Sequence, residues 1–272
     1  MSTKYIFLDI DGTLVDFNCT MPKSCETALR MAQKNGHKLI ISTGRFVGQI
    51  YPWLLEMIPF DGIISSSGAI VHYGGECIYS KFFSRNDLAY LSDCFDTAGA
   101  YSCRQLRTHL VSDERNLKGI YDVFGRAGVA KESVESLMGD VEIADMNSLG
   151  NVEKVIYYDS KFTLDEMRKL LGDSYNIDPF SFKDMPATCG EVNLADVNKA
   201  HGMAELLKYV GADVRDSIAI GDGGNDITII RAAGVGVAMG NATDEIKSAA
   251  DMITDDIGED GVYNAFVRLS LI

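Results

Sequence analysis

The chain has 272 residues, 46% of them apolar and 24% charged, with 26 Gly and 5 Pro. That length suits one large domain or two ordinary ones, and the composition excludes disordered, collagenous and low-complexity chains. Asp and Glu number 39 against 25 Lys and Arg, a formal charge of −14. Such a chain repels phosphate backbones and anionic bilayers, so neither nucleic acid nor a membrane surface is an expected partner.

The first apolar run, Tyr5 to Leu8, is short and stops at Asp9-Ile10-Asp11-Gly12-Thr13. It reads as a strand buried on both faces, as in a parallel sheet. Pro22 opens a helical stretch to about Lys34, closed by Asn35-Gly36. Lys38 to Ser42 is the next strand, ending at Thr43-Gly44-Arg45; a helix follows near Phe46–Met57, then a strand at Asp61 to Ser65. This strand–helix alternation predicts a doubly wound α/β fold. Gly74-Gly75 between Val71–Tyr73 and Cys77–Phe82 reads as a hairpin. Beyond it the rhythm changes. Helices are predicted near Asp87–Thr97, Glu114–Ala127, Lys131–Met138 and Leu164–Leu171, with strands at Tyr101–Cys103, Leu106–Ser112 and Val152–Tyr158. The alternation returns after about Thr188: a helix at Lys199–Tyr209, a strand at Ser217–Ile220 ending in Gly221-Asp222-Gly223-Gly224-Asn225-Asp226, then helix, Val235–Ala238, helix, Met252–Ile253 and a last helix. The expected organisation is a core of residues 1–81 and 189–272 interrupted by an inserted α+β domain at 82–188.

Four polar clusters fall at the ends of core strands or at a helix start: Asp9 with Asp11, Thr43-Gly44-Arg45, Lys199, and Asp222 with Asn225 and Asp226. In an open parallel sheet the ligand crevice lies beyond the carboxyl ends of the strands, so residues distant in sequence converge there. Four carboxylates at that density repel one another, and a divalent cation relieves the repulsion. Oxygen ligands without His or Cys suit a hard ion, Mg²⁺. Lys199, Thr43 and the Asn225 amide supply donors, and the turns at Gly12 and Gly44 add backbone N–H groups for an anion. The set outlines a phosphoryl-transfer site. One carboxylate can attack phosphorus and a second, two residues on, can serve as acid and then base.

Asp9-Ile10-Asp11-Gly12-Thr13 resembles the DxDGT nucleophile motif of the haloacid dehalogenase superfamily of phosphatases. Thr43 resembles its second motif, Lys199 its third, and Asp222-Gly223-Gly224-Asn225-Asp226 its fourth, in the same order. Thr43-Gly44-Arg45, Ser67-Gly68-Ala69 and the GDGxND form resemble the Cof-type branch, which carries a large α/β cap between the second and third motifs. The resemblance implies Asp9 as nucleophile and metal ligand, and Asp11 as acid/base whose backbone carbonyl also binds metal. It implies Thr43, Gly44 and Asn225 as holders of the phosphoryl oxygens, and Lys199 as the countercharge. Asp222 would ligate Mg²⁺, with Asp226 doing so directly or through water. The chain departs from the family where many relatives place Asn before Gly68, and in lacking Pro or Gly just before Lys199.

Other features read more plainly. Six cysteines at 19, 25, 77, 94, 103 and 189 have no zinc or disulfide spacing. His37, His72, His109 and His201 share no pattern, and Phe46, Trp53 and Met57 at helical spacing are expected to pack on the sheet. Asp222 to Asp226 lacks the spacing and terminal Glu of a calcium loop. Arg104, Arg107 and Glu191 are candidate substrate contacts from the insert, as is Arg45 from the core. The amino terminus is charged early with no long apolar stretch, and no apolar run reaches the ~20 residues of a membrane span, so a soluble cytoplasmic protein is expected, monomer or homodimer. The expected function is Mg²⁺-dependent hydrolysis of small phosphorylated metabolites, sugar phosphates foremost. A phosphomutase or phosphotransferase is the alternative enzyme, and a phospho-Asp receiver or a silent binding protein the non-enzymatic alternatives.

Overall fold

The computed structural model describes residues 2–16, 18–179 and 188–272; the stretch 180–187, assigned by the sequence to the insert, lies outside the described residues. The chain forms two compact units. One comprises Met1–Arg45, Ile50–Ser80 and Asn198–Ile272, the other Phe46–Gln49 and Lys81–Val197.

The first unit opens with β1 (Tyr5–Leu8), α1 (Lys23–Lys34), β2 (Lys38–Ser42), α2 (Pro52–Met57), β3 (Gly62–Ser65) and the hairpin β4 (Ile70–Tyr73) and β5 (Glu76–Ser80). The predicted helix over 46–57 is broken into a short 3₁₀ turn, Val47–Gln49, and α2. Pro52 explains the break. It lacks an N–H and forces Tyr51 out of the helical region (ψ 118), so a helix can begin at Pro52 but not run through it.

The second unit follows with α3 (Arg85–Ala98), β6 (Tyr101–Gln105), β7 (Leu110–Ser112), α4 (Glu114–Arg126), α5 (Lys131–Met138), β8 (Val141–Ile143), β9 (Lys154–Tyr158), α6 (Leu164–Leu171), β10 (Tyr175–Pro179) and β11 (Gly190–Leu194). Its sheet has the order β10-β11-β9-β6-β7-β8, antiparallel but for β7 beside β8. Leu88, Leu91 and Phe95 of α3 and Met167 and Leu171 of α6 bury one face, against Val155, Tyr157 and Val192. Ile120, Val123 and Phe124 of α4 pack with Cys103, Ile156, Tyr158 and Phe46. Phe46 therefore belongs to this cluster and not to the core sheet. The insert also ends later than residue 188. Strand β11 pairs with both β9 and β10, so residues 189–197 are part of the second unit.

The chain returns to the first unit with α7 (Lys199–Val210), β12 (Ser217–Gly221), α8 (Ile227–Ala232), β13 (Val235–Ala238), α9 (Asp244–Ala249), β14 (Met252–Ile253) and α10 (Gly261–Arg268). The eight-stranded sheet has the order β14-β13-β12-β1-β2-β3-β4-β5, parallel from β14 to β3. Alternate residues of the fully buried strands feed opposite layers, as the period of two requires. Ile6 and Leu8 pack with Ala28, Leu29 and Phe266 of α1 and α10. Phe7, Ile40 and Ala219 pack with Met203, Leu206, Ile229 and Ile230 of α7 and α8. Helices thus cover both faces and leave the strand ends to the loops. Leu8 sits between Ile220 and Ile41 in register, so the loops after β1, β2 and β12 leave the sheet side by side.

Candidate active site

Asp9, Asp11, Thr43, Gly44, Arg45, Lys199, Asp222, Asn225 and Asp226 all lie in the first unit. Asp9 follows β1 directly and donates its backbone N–H to Ile220 O at 3.1 Å, which keeps it in line with β12. Lys199 is the first residue of α7, and Asn198 caps that helix by accepting from the His201 N–H at 2.9 Å. Gly68 makes this placement possible. It holds φ +106, and a Cβ there would collide with the backbone carbonyl of Asn198. Ser66 and Ser67 lead into it with φ of 51 and 56, a left-handed conformation uncommon for residues other than Gly, Asn and Asp.

The Lys199 ammonium is wholly buried and donates to Asp9 Oδ1 at 2.6 Å and to Asp226 Oδ1 at 2.5 Å. The second oxygen of Asp226 accepts from the backbone N–H groups of Asp222 (3.1 Å) and Gly223 (3.0 Å). Carboxylate oxygens of Asp9, Asp222 and Asp226 all lie within 4.8 Å of one another. Three carboxylates facing one ammonium leave an excess of two negative charges. Burial, then the Asp226 charge, raises the Asp9 carboxyl well above its ordinary value. The same two causes push Asp222 up to about 7. Burial by itself would depress the Lys199 ammonium, but Asp226 and Asp9 outweigh it and hold its pKa above the ordinary value. Such a cluster, all oxygen and short of positive charge, fits a hard divalent cation. With both its oxygens committed, Asp226 has less capacity to ligate than Asp9 or Asp222.

Asp11 stands outside this cluster. Its carboxylate, 45% exposed, takes a two-pronged bond from Arg45, Nε at 2.7 Å and a terminal nitrogen at 2.9 Å. Arg45 in turn lies over the Tyr51 ring (4.5 Å to its centre) and donates to the Tyr51 hydroxyl at 2.9 Å. Arg45 thus serves Asp11, where the sequence suggests only a substrate contact. Thr43 is buried at the end of β2; its hydroxyl accepts from the Arg45 N–H at 3.2 Å, so Gly44 is bridged by a tight turn. Asn225 sits half-buried in the 3₁₀ turn Gly224–Asp226, one residue before Asp226.

The candidates in the second unit have other partners. Arg104 is fully buried, its guanidinium donating to Ser102 Oγ (3.1 Å) and Ser92 Oγ (2.8 Å) over the Phe95 ring. Burial lowers its pKa to about 10. Its position on β6, facing α3, corrects the expectation of a substrate contact: the side chain is core. Arg107 approaches the buried Glu153 at 3.5 Å. Glu191 on β11 accepts from the buried Lys154 at 2.5 Å, beside Asn193, which donates to Asp178.

Sequence reasoning passed over Asn241. It lies in the loop after β13, as Asp222 lies in the loop after β12, and its amide donates to Gly12 O (2.9 Å) and Asp222 Oδ2 (3.2 Å) while its oxygen accepts from the Ile257 N–H (3.0 Å). The signal was available, since a polar residue just past a parallel strand is where this architecture gathers its chemistry.

A family model for haloacid dehalogenase-like hydrolases matches residues 6–266. The chain belongs to this family. It is similar at full length to Phosphatase YwpJ of Bacillus subtilis strain 168, with 28% identity over 98% of the chain and 99% of the relative. A phosphoglycolate phosphatase of Methanobrevibacter smithii is 25% identical over 100% of both chains. Among solved structures, the HAD subclass IIB sugar phosphatase BT4131 superposes with a TM-score of 0.80 and 26% identity, covering 99% of this chain and 100% of that one. Within the haloacid dehalogenase-like hydrolases, the chain is a phosphatase, and its core carries the parallel sheet of that family.

Proposed function

We propose that the protein is a Mg²⁺-dependent phosphatase of small phosphorylated metabolites, sugar phosphates foremost, working through an aspartyl-phosphate on Asp9. The observation that carries the reading is the buried Lys199 ammonium bridging Asp9 and Asp226, with Asp222 alongside. Asp9 and Asp222 would hold the Mg²⁺, with the Asp11 carbonyl, and Asp226 would support them. Bound there, the ion would draw charge from the phosphoryl oxygens and align them for in-line attack. Lys199 opposes the rise in the Asp9 pKa and fixes Oδ1, leaving Oδ2 to attack phosphorus. Thr43, the Gly44 N–H and Asn225 would bind the remaining phosphoryl oxygens.

As the Asp9–phosphorus bond forms, the ester oxygen departs and takes a proton from Asp11. In the second half Asp11 recovers a proton from water, whose oxygen displaces Asp9 and yields inorganic phosphate. Arg45 would hold the Asp11 carboxylate in place between these transfers. The sugar phosphatase BT4131 and full-length phosphatase relatives support a small phosphorylated substrate. The test is phosphate release from a panel of sugar phosphates and from p-nitrophenyl phosphate, with Mg²⁺ and with EDTA. Asp9→Asn is expected to lose at least about 10³-fold in kcat while keeping the wild-type melting midpoint. Turnover near wild type in that variant would refute the covalent route, and phosphate appearing on a second sugar would make the protein a phosphotransferase.

A further inference from the structure

The three clustered carboxylates are held in two different ways. Asp9 and Asp226 share the Lys199 ammonium, which orients them and cancels part of their charge. Asp222 has no cation within ion-pair distance among the described residues. Its Oδ1 accepts from the Thr13 hydroxyl and its Oδ2 from the Asn241 amide, both at 3.2 Å. A hydroxyl and an amide fix a carboxylate without neutralising it. Each Asp222 oxygen spends one lone pair on these donors and keeps another. The carboxylate is therefore aimed but left without a countercharge of its own, the position a cation ligand needs.

Asn241 is well placed for this task because it is itself held from three sides. Its amide nitrogen also donates to Gly12 O at 2.9 Å, and its oxygen accepts from the Ile257 N–H at 3.0 Å. The loop that carries it is pinned by Met239 N–H to Gly221 O and by Gly240 N–H to Asp255 O, each at 3.0 Å. One side chain thus ties the loops after β1, β12, β13 and β14. Thr13 is fully buried, and Gly12 beside it has φ +86 with no room for a Cβ against the Asp222 carboxylate.

We propose that Asn241, with Thr13, is the positioning residue that presents Asp222 to the divalent cation and so sets the protein's Mg²⁺ affinity. The proposal rests on the metal-dependent reading above and adds a determinant outside the motif acids. The same donors in a purely structural role would affect folding and leave cation affinity as it was.

The experiment is calorimetric titration of Mg²⁺ into the full chain and into Asn241→Ala, Thr13→Val and Asp222→Asn, with melting midpoints recorded in EDTA. Asp222→Asn is expected to abolish Mg²⁺ binding. Asn241→Ala and Thr13→Val are each expected to weaken it by about tenfold or more, with the EDTA midpoint moved by no more than about 4 °C and kcat recovering at high Mg²⁺. If Asn241→Ala does not fold, the isosteric Thr13→Val decides. Mg²⁺ affinity within about twofold of wild type in the folded variants, with Asp222→Asn silent, overturns the positioning role and leaves the metal reading standing. Wild-type Mg²⁺ affinity in Asp222→Asn overturns the metal reading itself, and the positioning role with it.

Discussion

Asp11 and Asp9 are two residues apart, yet they meet opposite surroundings. Asp9 points inward to a buried lysine; Asp11 points outward to Arg45, which is steadied by Tyr51. The strand ends at Leu8 and the chain turns at once, with the Leu14 and Val15 N–H groups donating to Ile10 O, so the period of two that would place both side chains on one face no longer holds; the turn separates the proposed nucleophile from the proposed acid. In the proposed mechanism Arg45 would support the step in which Asp11 gives up a proton, a step that matters only when the leaving oxygen is a poor one. Arg45→Ala is therefore expected to lower kcat for an alkyl phosphate by about tenfold or more. For p-nitrophenyl phosphate, whose leaving group departs without a proton, the loss should be no more than about twofold. Equal losses on the two substrates would show that Arg45 does not act through Asp11. The motif acids and Lys199 were legible as residues because each sits at the end of an apolar run or the start of a helix. The pairing of Arg45 with Asp11 and Tyr51, and the contacts of Asn241, were not, because they arise between segments that share no local pattern. Arg104 was misread for a related reason: a charged residue on a strand suggests solvent, whereas two serine hydroxyls and an aromatic face receive it here.

Helix α3 illustrates how local chemistry fixes an element. Ser84 and Asp87 form a reciprocal cap, and the Asp87 carboxylate accepts from the Ser84 N–H (2.8 Å), the Ser84 hydroxyl (2.6 Å) and the Tyr175 hydroxyl (2.7 Å). Burial opposes the charge, but these bonds outweigh it and hold Asp87 below its ordinary carboxylate value. A depressed folded-state pKa gives stability that is present above the unfolded value near 3.8 and vanishes as pH falls through the folded one. Asp87→Ala is expected to cost about 1 kcal/mol at pH 7 and little at pH 2 in denaturant titrations. A penalty that stays constant with pH would assign Asp87 a packing role only. Helix α6, capped in the same reciprocal way by Thr163 and Glu166, was placed at its observed bounds from sequence. Strand β11 was missed because its alternate residues Glu191 and Asn193 are polar though buried, which hides the apolar pattern of a central strand.

At the scale of the molecule, the returning α/β rhythm is the sequence signal for one unit interrupting the other, and the chain divides into two discontinuous units. The rhythm placed the return one strand early, because only pairing with β9 and β10 assigns residues 190–194 to the second sheet. Each unit has its own apolar clusters, and Phe46, next in sequence to Arg45, is buried in that of the second. Phe46→Ala is expected to cost about 3–5 kcal/mol of the second unit's stability. Amide exchange should accelerate in β6 and β9 while β1 and β2 keep their protection. Faster exchange in β1 and β2 with β6 unchanged would place Phe46 in the core unit instead.

The short segment Phe46–Gln49 makes the chain cross between units four times, where a simple insertion crosses twice. A chimera built by exchanging residues 81–197 with a relative would leave Phe46 behind in its host. The transplanted unit would then have to fill its apolar cluster with a residue 46 chosen for another sequence. In this architecture the second unit is inherited together with a piece of the loop that carries Thr43 and Arg45, so an exchange of one unit reaches into the sequence of the other.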